Sequence, residues 1–407
     1  MQRAPRLLWV NHFAVAPDMG GGTRHLEMGR ELVRRGWSVT IAASDFHLHG
    51  RTYMRRAGET DRTPRFETLD GVRFAWLWAA PYERNDLRRA WNWMSFGQSL
   101  ELWTKAAERP DIVVGSTPHL FAALAGWRAA RRHGVPFVLE VRDLWPESLA
   151  VGGRSRGPSY WALHLLARFL YRVADRIVVL AQGVGDFLER TGVSRDRIVF
   201  APNGVDIAAY DLVARAPRDE VRLAYAGAHG PANGHEAVLE AAALLRDETR
   251  VSFDLVGDGP SKQTLADDAR ARGLGNLRFL DPLPKSAMPG FLGECDAGLM
   301  VLKDVPLFAF GVSPNKLFDY WGAALPVICN VPGEVAEMVR QAGAGVQARD
   351  ASGEALAEAI RLLLAQSPAE RAAMGRRGRA WVERERNRPN VAARMDDALR
   401  DLLRPAA

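Results

Sequence analysis

Residues 311–320, G-V-S-P-N-K-L-F-D-Y, combine a helix-start signal with a lysine and an aspartate spaced to hold a nucleotide. Ser313 as the N-cap and Pro314 as the first helical residue predict that a helix begins here. Lys316 then falls in the first turn, where the helix dipole disfavours a cation. A diphosphate would remove that conflict, because helix N–H groups and the ammonium would both face it, and Asp319 could accept hydrogen bonds from a ribose. The alternative is a surface ion pair between Lys316 and Asp319, worth about 0.2–0.5 kcal/mol.

Residues 140–148, E-V-R-D-L-W-P-E-S, place four ionisable side chains directly after an apolar strand. The carboxyl ends of such strands are where open α/β sheets bind their ligands. A charged cluster beside Trp145 costs desolvation free energy unless it is paired or functional. We interpret Arg142 and Asp143 as candidate site residues. The alternative is a structural ion network of Arg142, Asp143 and Glu147.

Glycine-rich stretches follow three other predicted strands. Gly20, Gly21 and Gly22 precede a helix, so the backbone could approach a ligand closely and the helix N–H groups could face a phosphate. The alternative for these glycines is a flexible turn. Residues 227–230 and 257–260 are weaker signals, but they recur at equivalent points of one predicted sheet.

Other chemistries lack their usual sequence signs. No H-x-x-x-H pair with a third ligand is present, and no carboxylate pair is spaced to hold a divalent cation. The G-x-S-x-G motif of many hydrolases is absent as well. We therefore expect no bound metal and no hydrolase chemistry.

Strand and helix signals alternate along the chain, which predicts an α/β protein with parallel sheets. The alternation begins near residue 7 and restarts near residue 221, so we predict two Rossmann-like domains whose loops face a cleft. Turn residues and charges between residues 202 and 217 mark the boundary. The predicted domains are 1–205 and 206–385, followed by a C-terminal helix, 386–407, that packs back toward the first domain.

Composition sets broad limits on class and partners. The 407 residues are 47% hydrophobic, which suffices for full-sized cores. The net charge of +6 permits an anionic surface or nucleic acid and establishes neither; we expect no nucleic-acid partner. Cys295 and Cys329 lie in apolar runs without metal spacing, which predicts buried reduced thiols and fits a reducing cytosol. Residues 7–10 predict a first strand rather than a leader, and no stretch reaches the roughly 18 apolar residues of a membrane span.

Two stretches mix arginine with aromatic side chains, a combination typical of a lipid headgroup boundary. Residues 87–103 contain three tryptophans and two adjacent arginines, and residues 160–171 form an apolar stretch flanked by arginines. We predict that both stretches lie on one surface of the N-terminal domain and face an anionic membrane. The alternative is a pair of ordinary core helices with solvated arginines.

Taken together, these motifs resemble those of the family 4 retaining glycosyltransferases, which have the GT-B fold of two Rossmann-like domains. The resemblance runs over nearly the whole chain. Residues 20–22 resemble the family's N-terminal loop, residues 202–206 (P-N-G-V-D) its interdomain turn and residues 255–260 (L-V-G-D-G-P) its second-domain loop. Segments 140–148 and 313–320 are more specific, and they resemble the branch that contains N-acetyl-L-fucosamine transferases and related exopolysaccharide and O-antigen enzymes.

The sequence departs from the family pattern at three places. Gly311 and Asp319 stand where the family has two glutamates eight residues apart, and Arg142-Asp143 stands where many members have His-Asp. An arginine and a lysine of the second-domain loop are replaced by Ala228 or His229, and by Asn233. The changes suggest that Lys316 has taken over neutralisation of the donor diphosphate.

The resemblance implies transfer of a sugar, with retention and without a metal, from a UDP-sugar to a glycan acceptor carried by a polyprenyl diphosphate. It also implies a cytoplasmic protein, peripheral at the inner face of the plasma membrane. The implied catalytic residues are Asp143, Arg142 and Lys316, and no protein nucleophile is evident. The implied donor-binding residues, with backbone near Leu283 at the uracil, are Gly20, Gly21, Gly22, His229, Asn233, Gly257, Leu283, Ser313, Asn315, Lys316 and Asp319. Two alternatives stay open: a UDP-sugar epimerase of the same fold and a non-catalytic, nucleotide-binding pseudo-transferase.

Overall fold

A computed structural model describes residues 3–19, 21–47, 50–58, 60–84, 86–147, 157–210, 219–305 and 311–404. The chain divides into two compact units, the first made of Met1–Pro202 and Val391–Ala407 and the second of Asn203–Asn390. Each unit contains a sheet of predominantly parallel strands flanked by helices. The predicted α/β class with two Rossmann-like domains is therefore confirmed.

The first unit is built on a sheet with the strand order β3-β4-β2-β1-β5-β6-β7-β8. Most of its strands are short, largely buried apolar runs, because strands covered by helices on both faces are buried on both faces. The edge strand Arg65–Leu69 is the exception and is largely exposed. The strands are β1 (Arg6–Val10), β2 (Ser38–Ser44), β3 (Arg65–Leu69), β4 (Val72–Leu77), β5 (Ile112–Ser116), β6 (Phe137–Val141), β7 (Arg176–Val179) and β8 (Ile198–Phe200).

One strand of this sheet departs from the predicted parallel arrangement. β3 pairs with β4 in the antiparallel direction, whereas the other neighbouring pairs among the described strands are parallel. The hairpin turns at Asp70 and Gly71, which have φ angles of 50° and 80°. An Asp-Gly pair is the usual sequence sign of such a turn, so the signal was present in the sequence.

The helices of the first unit include one from the end of the chain. The last helix, α13, enters this unit at Val391, where Val391 and Met395 are fully buried in the core and the Trp37 indole N–H donates to Asp396 at 2.6 Å. The helices that the structure describes here are α1 (Arg24–Arg34), α2 (Leu87–Ala106), α3 (Leu120–His133), α4 (Pro158–Val173), α5 (Gln182–Arg190) and α13 (Arg388–Asp401).

The second unit has a parallel sheet with the order β11-β10-β9-β12-β13-β14. Its strands are β9 (Val221–Ala226), β10 (Val251–Val256), β11 (Leu277–Leu280), β12 (Ala297–Met300), β13 (Val327–Cys329) and β14 (Gly345–Gln347). The helices in its described part are α6 (His235–Leu244), α7 (Lys262–Ala271), α8 (Met288–Gly293), α9 (Asn315–Gly322), α10 (Glu334–Ala342), α11 (Gly353–Leu364) and α12 (Pro368–Glu385).

Both sheets reverse their strand order next to their first strand. In the first unit β1 lies between β2 and β5, and in the second unit β9 lies between β10 and β12. The loops after neighbouring strands then diverge to opposite sides, which opens a crevice at the carboxyl ends of the strands. This constraint puts the predicted glycine loops and charged segments at the edges of the sheets where ligands bind.

The two cysteines are buried and free, as predicted. Burial raises the pKa of the Cys329 thiol to about 12, so the thiol stays protonated. Within the described ranges, no helix has both the length and the apolar character needed to cross a bilayer.

We predict that Gly298→Ala lowers the stability of the second unit. A Cβ atom at Gly298 would lie 2.3 Å from the ring of Tyr320, which is fully buried and cannot move without displacing α9. Overpacking of this kind costs about 1–3 kcal/mol. The midpoint of thermal unfolding should fall for Gly298→Ala and stay unchanged for the control Gly275→Ala, where a Cβ atom has open space. Equal midpoints for the two variants would contradict the packing argument.

Candidate active site

The helix that carries Lys316 begins later than predicted. α9 starts at Asn315 with Pro314 as its N-cap, and no side chain caps it, so the prediction of Ser313 as the N-cap is wrong. The Ser313 hydroxyl instead accepts a hydrogen bond from the Asn203 backbone N–H at 2.8 Å. The Ser313 backbone carbonyl accepts another from the side-chain amide of Asn203 at 2.7 Å. These bonds join the loop before α9 to the start of the second unit.

Lys316 lies in the first turn of α9 with its ammonium turned inward. Its Nζ atom donates to the Tyr225 hydroxyl at 2.9 Å and lies 4.0 Å from the centre of that ring. Burial lowers the pKa of Lys316 to about 7. Among the described residues no carboxylate forms an ion pair with it, because the Asp319 carboxylate accepts from the Tyr210 hydroxyl at 2.8 Å instead. The alternative of a Lys316–Asp319 surface pair is wrong.

Tyr320 fixes where Lys316 points. Its side chain is fully buried, and its hydroxyl accepts a hydrogen bond from the Ala226 N–H at 2.9 Å. The start of α9 is thereby held against the end of β9, and Lys316 lies over Gly227, where a Cβ atom would come within 3.6 Å of the lysine Cε. The sequence analysis missed Tyr320 and Tyr225, although the spacing of four residues puts Tyr320 on the same face of the helix as Lys316.

The two glycine loops of the second unit interlock beside this lysine. A Cβ atom at Gly257 would lie 1.9 Å from the Gly227 carbonyl oxygen, and one at Gly259 would lie 2.5 Å from the His229 carbonyl oxygen. The His229 N–H donates to the Asp258 carbonyl at 2.8 Å. Gly257 is therefore required by the contact between the loops, and the weak sequence signals mark a closely packed pair of turns.

His229 forms part of a buried stack under the lysine. Its ring lies parallel to that of His235 with centroids 4.7 Å apart, and both rings contact Tyr225. Burial lowers the pKa of His229 to about 4 and that of His235 to about 3, so both rings are neutral at pH 7. Both ring nitrogens of His229 and Nε2 of His235 are buried without a hydrogen-bond partner. His235 is therefore a buried residue of this core.

The remaining candidates of the second unit lie around this core. Asn233 is half-buried, and its side-chain oxygen accepts from the Gly230 N–H at 3.3 Å. Asn315 is exposed at the first position of α9. Leu283 is exposed in the loop after β11, the edge strand, two strands away from β9.

In the first unit, the glycine loop is described from its second residue onward. Gly20 lies outside the described residues. Gly21 has a φ of 136°, a conformation that glycine adopts without strain, and a Cβ atom at Gly22 would meet nothing within 4 Å. No side chain caps the start of α1.

A buried ion pair ties α1 to the sheet of the first unit. Glu140, at the end of β6, is fully buried, and Arg24 donates to its carboxylate at 3.1 Å. His25 and Ser116 lie at 3.1 and 2.6 Å from the same carboxylate. Burial by itself raises the pKa of Glu140, but the charge of Arg24 and the contact with His25 hold it well below its usual range. This glutamate is structural, because removing one partner of such a pair leaves an uncompensated buried charge.

Arg142 and Asp143 follow β6 and bend toward the loop after β5. The Arg142 N–H donates to the Thr117 hydroxyl at 2.9 Å, and Asp143 is exposed. Neither side chain forms an ion pair within the described part of the chain, and Glu147 contacts His164 at 3.3 Å instead. The alternative of an Arg142–Asp143–Glu147 network is therefore wrong.

The described ranges contain no cluster of three or more histidine, cysteine, aspartate or glutamate side chains that could hold a metal ion. The polar groups that converge near Lys316 are hydroxyls, backbone N–H groups and one ammonium, a donor set that suits an anion rather than a cation.

Comparison with known families agrees with the division of the chain into two units. Residues 19–204 match the family described as "Glycosyl transferase 4-like domain". Residues 220–366 match the family described as "Glycosyl transferases group 1". The two matches follow each other along the sequence and fall in the first and second units.

The chain is also similar to individual proteins of known sequence or structure. The chain is 28% identical over 324 residues to the putative colanic acid biosynthesis glycosyl transferase WcaI of Escherichia coli, covering 74% of this chain and 77% of WcaI. Sucrose-phosphate synthase from Thermosynechococcus elongatus superposes with a TM-score of 0.77 at 18% identity, covering 98% and 99% of the two chains. Anabaena HepE, solved in complex with UDP and glucose, gives 0.69 at 15% identity and covers 98% and 100%.

The two structural likenesses establish the fold, and the family matches establish the class of enzyme. They favour neither the epimerase nor the pseudo-transferase alternative. The chain is a glycosyltransferase of the GT-B fold, built from a glycosyl transferase 4-like domain and a domain of the glycosyl transferases group 1 family.

Proposed function

We propose that this glycosyltransferase moves a sugar from a UDP-sugar to a glycan acceptor in the synthesis of a cell-surface polysaccharide. The observation that carries the proposal is the side chain of Lys316, which is half-buried, lies over Gly227 and has no carboxylate partner among the described residues. An inward-facing cation without a counter-ion costs desolvation free energy unless a ligand supplies the charge. A nucleoside diphosphate supplies it.

The identity of the donor and the pathway draw on the relatives. HepE was solved in complex with UDP and glucose, and WcaI is named for colanic acid biosynthesis. Both are similar to this chain over most of their length. We carry over a UDP-sugar as the donor, and an exopolysaccharide or lipopolysaccharide glycan as the acceptor.

The proposed chemistry stabilises the departing UDP. Lys316 and the N–H groups at the start of α9 neutralise the diphosphate as the glycosidic bond breaks, in the manner of an oxyanion hole. Ser313 and Asn315 belong to the same helix start. Asp319 binds the ribose, oriented by the Tyr210 hydroxyl, and the backbone near Leu283 binds the uracil.

On the acceptor side we assign roles to the segment after β6. Arg142 and Asp143 face the acceptor or the transferred sugar, and transfer proceeds with retention at the anomeric carbon. Gly21 and Gly22 leave room for the donor diphosphate to approach the backbone of the first unit. No divalent metal takes part, because Lys316 and the helix N–H groups perform the neutralisation.

We further propose that the acceptor is linked to a polyprenyl diphosphate and that the first unit binds the cytoplasmic face of an anionic membrane. α3 contacts both α2 and α4, so these helices form one layer. α2 and α4 each expose apolar side chains at helical spacing: Leu87, Trp91, Met94 and Leu102 on α2, and Trp161, Leu165 and Phe169 on α4. Arginines accompany both rows: Arg88 and Arg89 on α2, and Arg168 and Arg172 on α4.

We predict that Lys316→Ala weakens binding of UDP and lowers turnover by more than about tenfold without unfolding the protein, since one charge-assisted hydrogen bond is worth about 1.5–3 kcal/mol. Titration calorimetry with UDP measures the affinity. The matched control is Lys303→Ala, which removes a lysine of the same unit that is paired with Glu236. Unchanged UDP affinity in Lys316→Ala would overturn the assignment of the diphosphate site.

Donor affinity should also depend on pH. The pKa of Lys316 is about 7 in the free protein, and a bound diphosphate favours the protonated form. Affinity for a UDP-sugar should therefore be constant below about pH 6 and decline as the pH rises above about 7. Lys316→Arg keeps its charge throughout this range, so its affinity should not vary. A wild-type profile as flat as that of Lys316→Arg would speak against protonation of the lysine on binding.

We predict that transfer needs no divalent cation. Activity should persist in excess EDTA and should not rise when magnesium or manganese is added, because the diphosphate charge is neutralised by Lys316 and helix N–H groups. The control is a metal-dependent glycosyltransferase assayed in the same buffer, which must lose its activity. Loss of activity in EDTA that magnesium or manganese restores would contradict the proposal.

We predict that exposed apolar residues of α2 and α4 hold the protein on anionic vesicles. Each basic residue near an anionic surface contributes about 1 kcal/mol, so binding should weaken as salt rises. A triple variant, Trp91→Ser, Trp161→Ser and Leu165→Ser, should no longer sediment with anionic vesicles. We leave Trp93 out of this test because its indole ring stacks on His119.

The control for the vesicle experiment is a variant of the second unit. Leu244→Ser and Leu362→Ser remove two leucines that are comparably exposed on that unit. This variant should sediment like the wild type. The alternative of ordinary core helices with solvated arginines would be favoured by either of two results: the triple variant binds anionic vesicles as well as the wild type does, or the wild type binds neutral vesicles as well as anionic ones.

A further inference from the structure

An aromatic cluster occupies the carboxyl edge of the first sheet, where its strand order reverses. It draws on the loops that follow β1, β5 and β6 and on one residue of α2. Its members share ring contacts in a continuous chain. We call it the Trp93 cluster, and it consists of His12, Phe13, Trp93, His119 and Trp145.

Trp93 joins the loops of this cluster. Its ring is stacked on His119, with centroids 5.4 Å apart and an interplanar angle of 12°, and it meets Trp145 edge-on at 5.3 Å. His119 in turn packs edge-on against His12 at 4.7 Å. The indole of Trp93 is only half-buried, whereas His12 and His119 are almost completely buried. One part of the indole therefore remains open to a ligand above a preformed aromatic base.

Three buried polar atoms of the cluster have no hydrogen-bond partner: Nε1 of Trp93, Nε2 of His119 and Nδ1 of His12. Nε of Arg142, which precedes Trp145 in the loop after β6, is also buried without a partner. Leaving one such group unsatisfied costs about 1–3 kcal/mol, so packing alone does not explain three of them in one aromatic cluster. Burial lowers the pKa of His12 to about 3, so its ring is neutral at pH 7 and can donate or accept a hydrogen bond.

The charges beside the cluster are positive. The Arg89 guanidinium lies 5.3 Å from the centre of the Trp93 ring. Arg142 is tied through its backbone to Thr117, two residues before His119, and forms no ion pair with any described carboxylate. Asp143 is the adjacent acid and is exposed to solvent. A ligand that combines a flat apolar surface, hydroxyl groups and a negative charge fits this set of groups.

We propose that the Trp93 cluster is the subsite for the acceptor sugar: a pyranose ring lies on the indole of Trp93, and Arg142 pairs with an anionic group linked to that sugar. Pyranose rings present C–H groups on one face and hydroxyls at the rim, which matches an aromatic surface rimmed by ring nitrogens. This inference rests on the proposed transferase function. It adds Trp93 and His119 as specificity-determining residues, whereas the sequence analysis counted Trp93 among the membrane-facing aromatic residues of 87–103 and gave His119 no role.

The test separates acceptor binding from donor chemistry. Release of UDP from the UDP-sugar is measured with water as the only acceptor, and then with increasing amounts of a lipid-diphosphate-linked glycan. Trp93→Leu should raise the KM for the acceptor by at least about tenfold, the loss expected when one aromatic contact of this kind is removed, and should leave hydrolysis of the donor unchanged. Trp93→Phe keeps a ring and should show a smaller rise.

Trp103→Leu is the matched control. It removes a second half-buried tryptophan of α2, which packs against Phe66 at the other end of the helix, and the KM for the acceptor should not change. A wild-type acceptor KM in both Trp93 variants, or an equal loss of donor hydrolysis, would overturn the subsite. Absence of transfer by the wild type on every acceptor would instead refute the proposed function.

The source of the negative charge is found by varying the acceptor. If the charge is the lipid diphosphate, the same glycan without its diphosphate should bind the wild type as weakly as the intact acceptor binds Arg142→Gln. If the charge is a sugar carboxylate, an acceptor whose carboxylate has been reduced to an alcohol should bind the wild type as weakly as the intact acceptor binds Arg142→Gln. Equal KM values for charged and uncharged acceptors, unaltered in Arg142→Gln, would show that Arg142 has no such partner and would overturn this part of the proposal.

Discussion

The geometry of the second unit depends on one constraint, the close approach of backbone to backbone at the end of β9. The Gly227 carbonyl lies where the Cβ of any other residue at position 257 would be, and the Tyr320 hydroxyl binds the next N–H, that of Ala226. These two contacts leave a single place for the start of α9 and hence for Lys316. The packing of the surrounding sheet offsets the free-energy cost of burying the lysine, and the diphosphate that we propose as its ligand would offset more of that cost.

The two sheets use their crevices for different chemistry. At β9 the available groups are an ammonium, hydroxyls and backbone N–H groups, with no carboxylate paired to the lysine in the described part of the chain. At β1 the crevice contains tryptophan, histidine and arginine beside an exposed aspartate. The first set suits a diphosphate and the second suits a sugar with a charged substituent, and this difference is the basis on which we propose the second unit for the donor and the first for the acceptor.

Sequence reasoning succeeded where a pattern reports burial directly and missed what depends on long-range partners. The second series of strands and helices restarts where predicted, with β9 beginning at Val221, because a short apolar run after turn residues and charges admits few alternatives. The start of α9 was placed one residue early, because Ser313 bonds to Asn203, 110 positions away, and is not available as a cap. Trp93 was predicted to be a membrane-facing aromatic residue of α2, because local spacing along a helix does not show that its ring stacks on His119. The assignment of individual residues to donor and acceptor stays a prediction.

Because α13 packs into the first unit, the core of that unit can be completed only after the second unit has been synthesised. Val391, Ala392, Met395 and Leu399 fill the same core as β1 and β2, which are synthesised before the second unit. During translation the first unit must wait, with part of its apolar core uncovered, until the second unit has been made. A chain without residues 391–407 would lack these side chains, so such a truncation would expose core surface near Trp37.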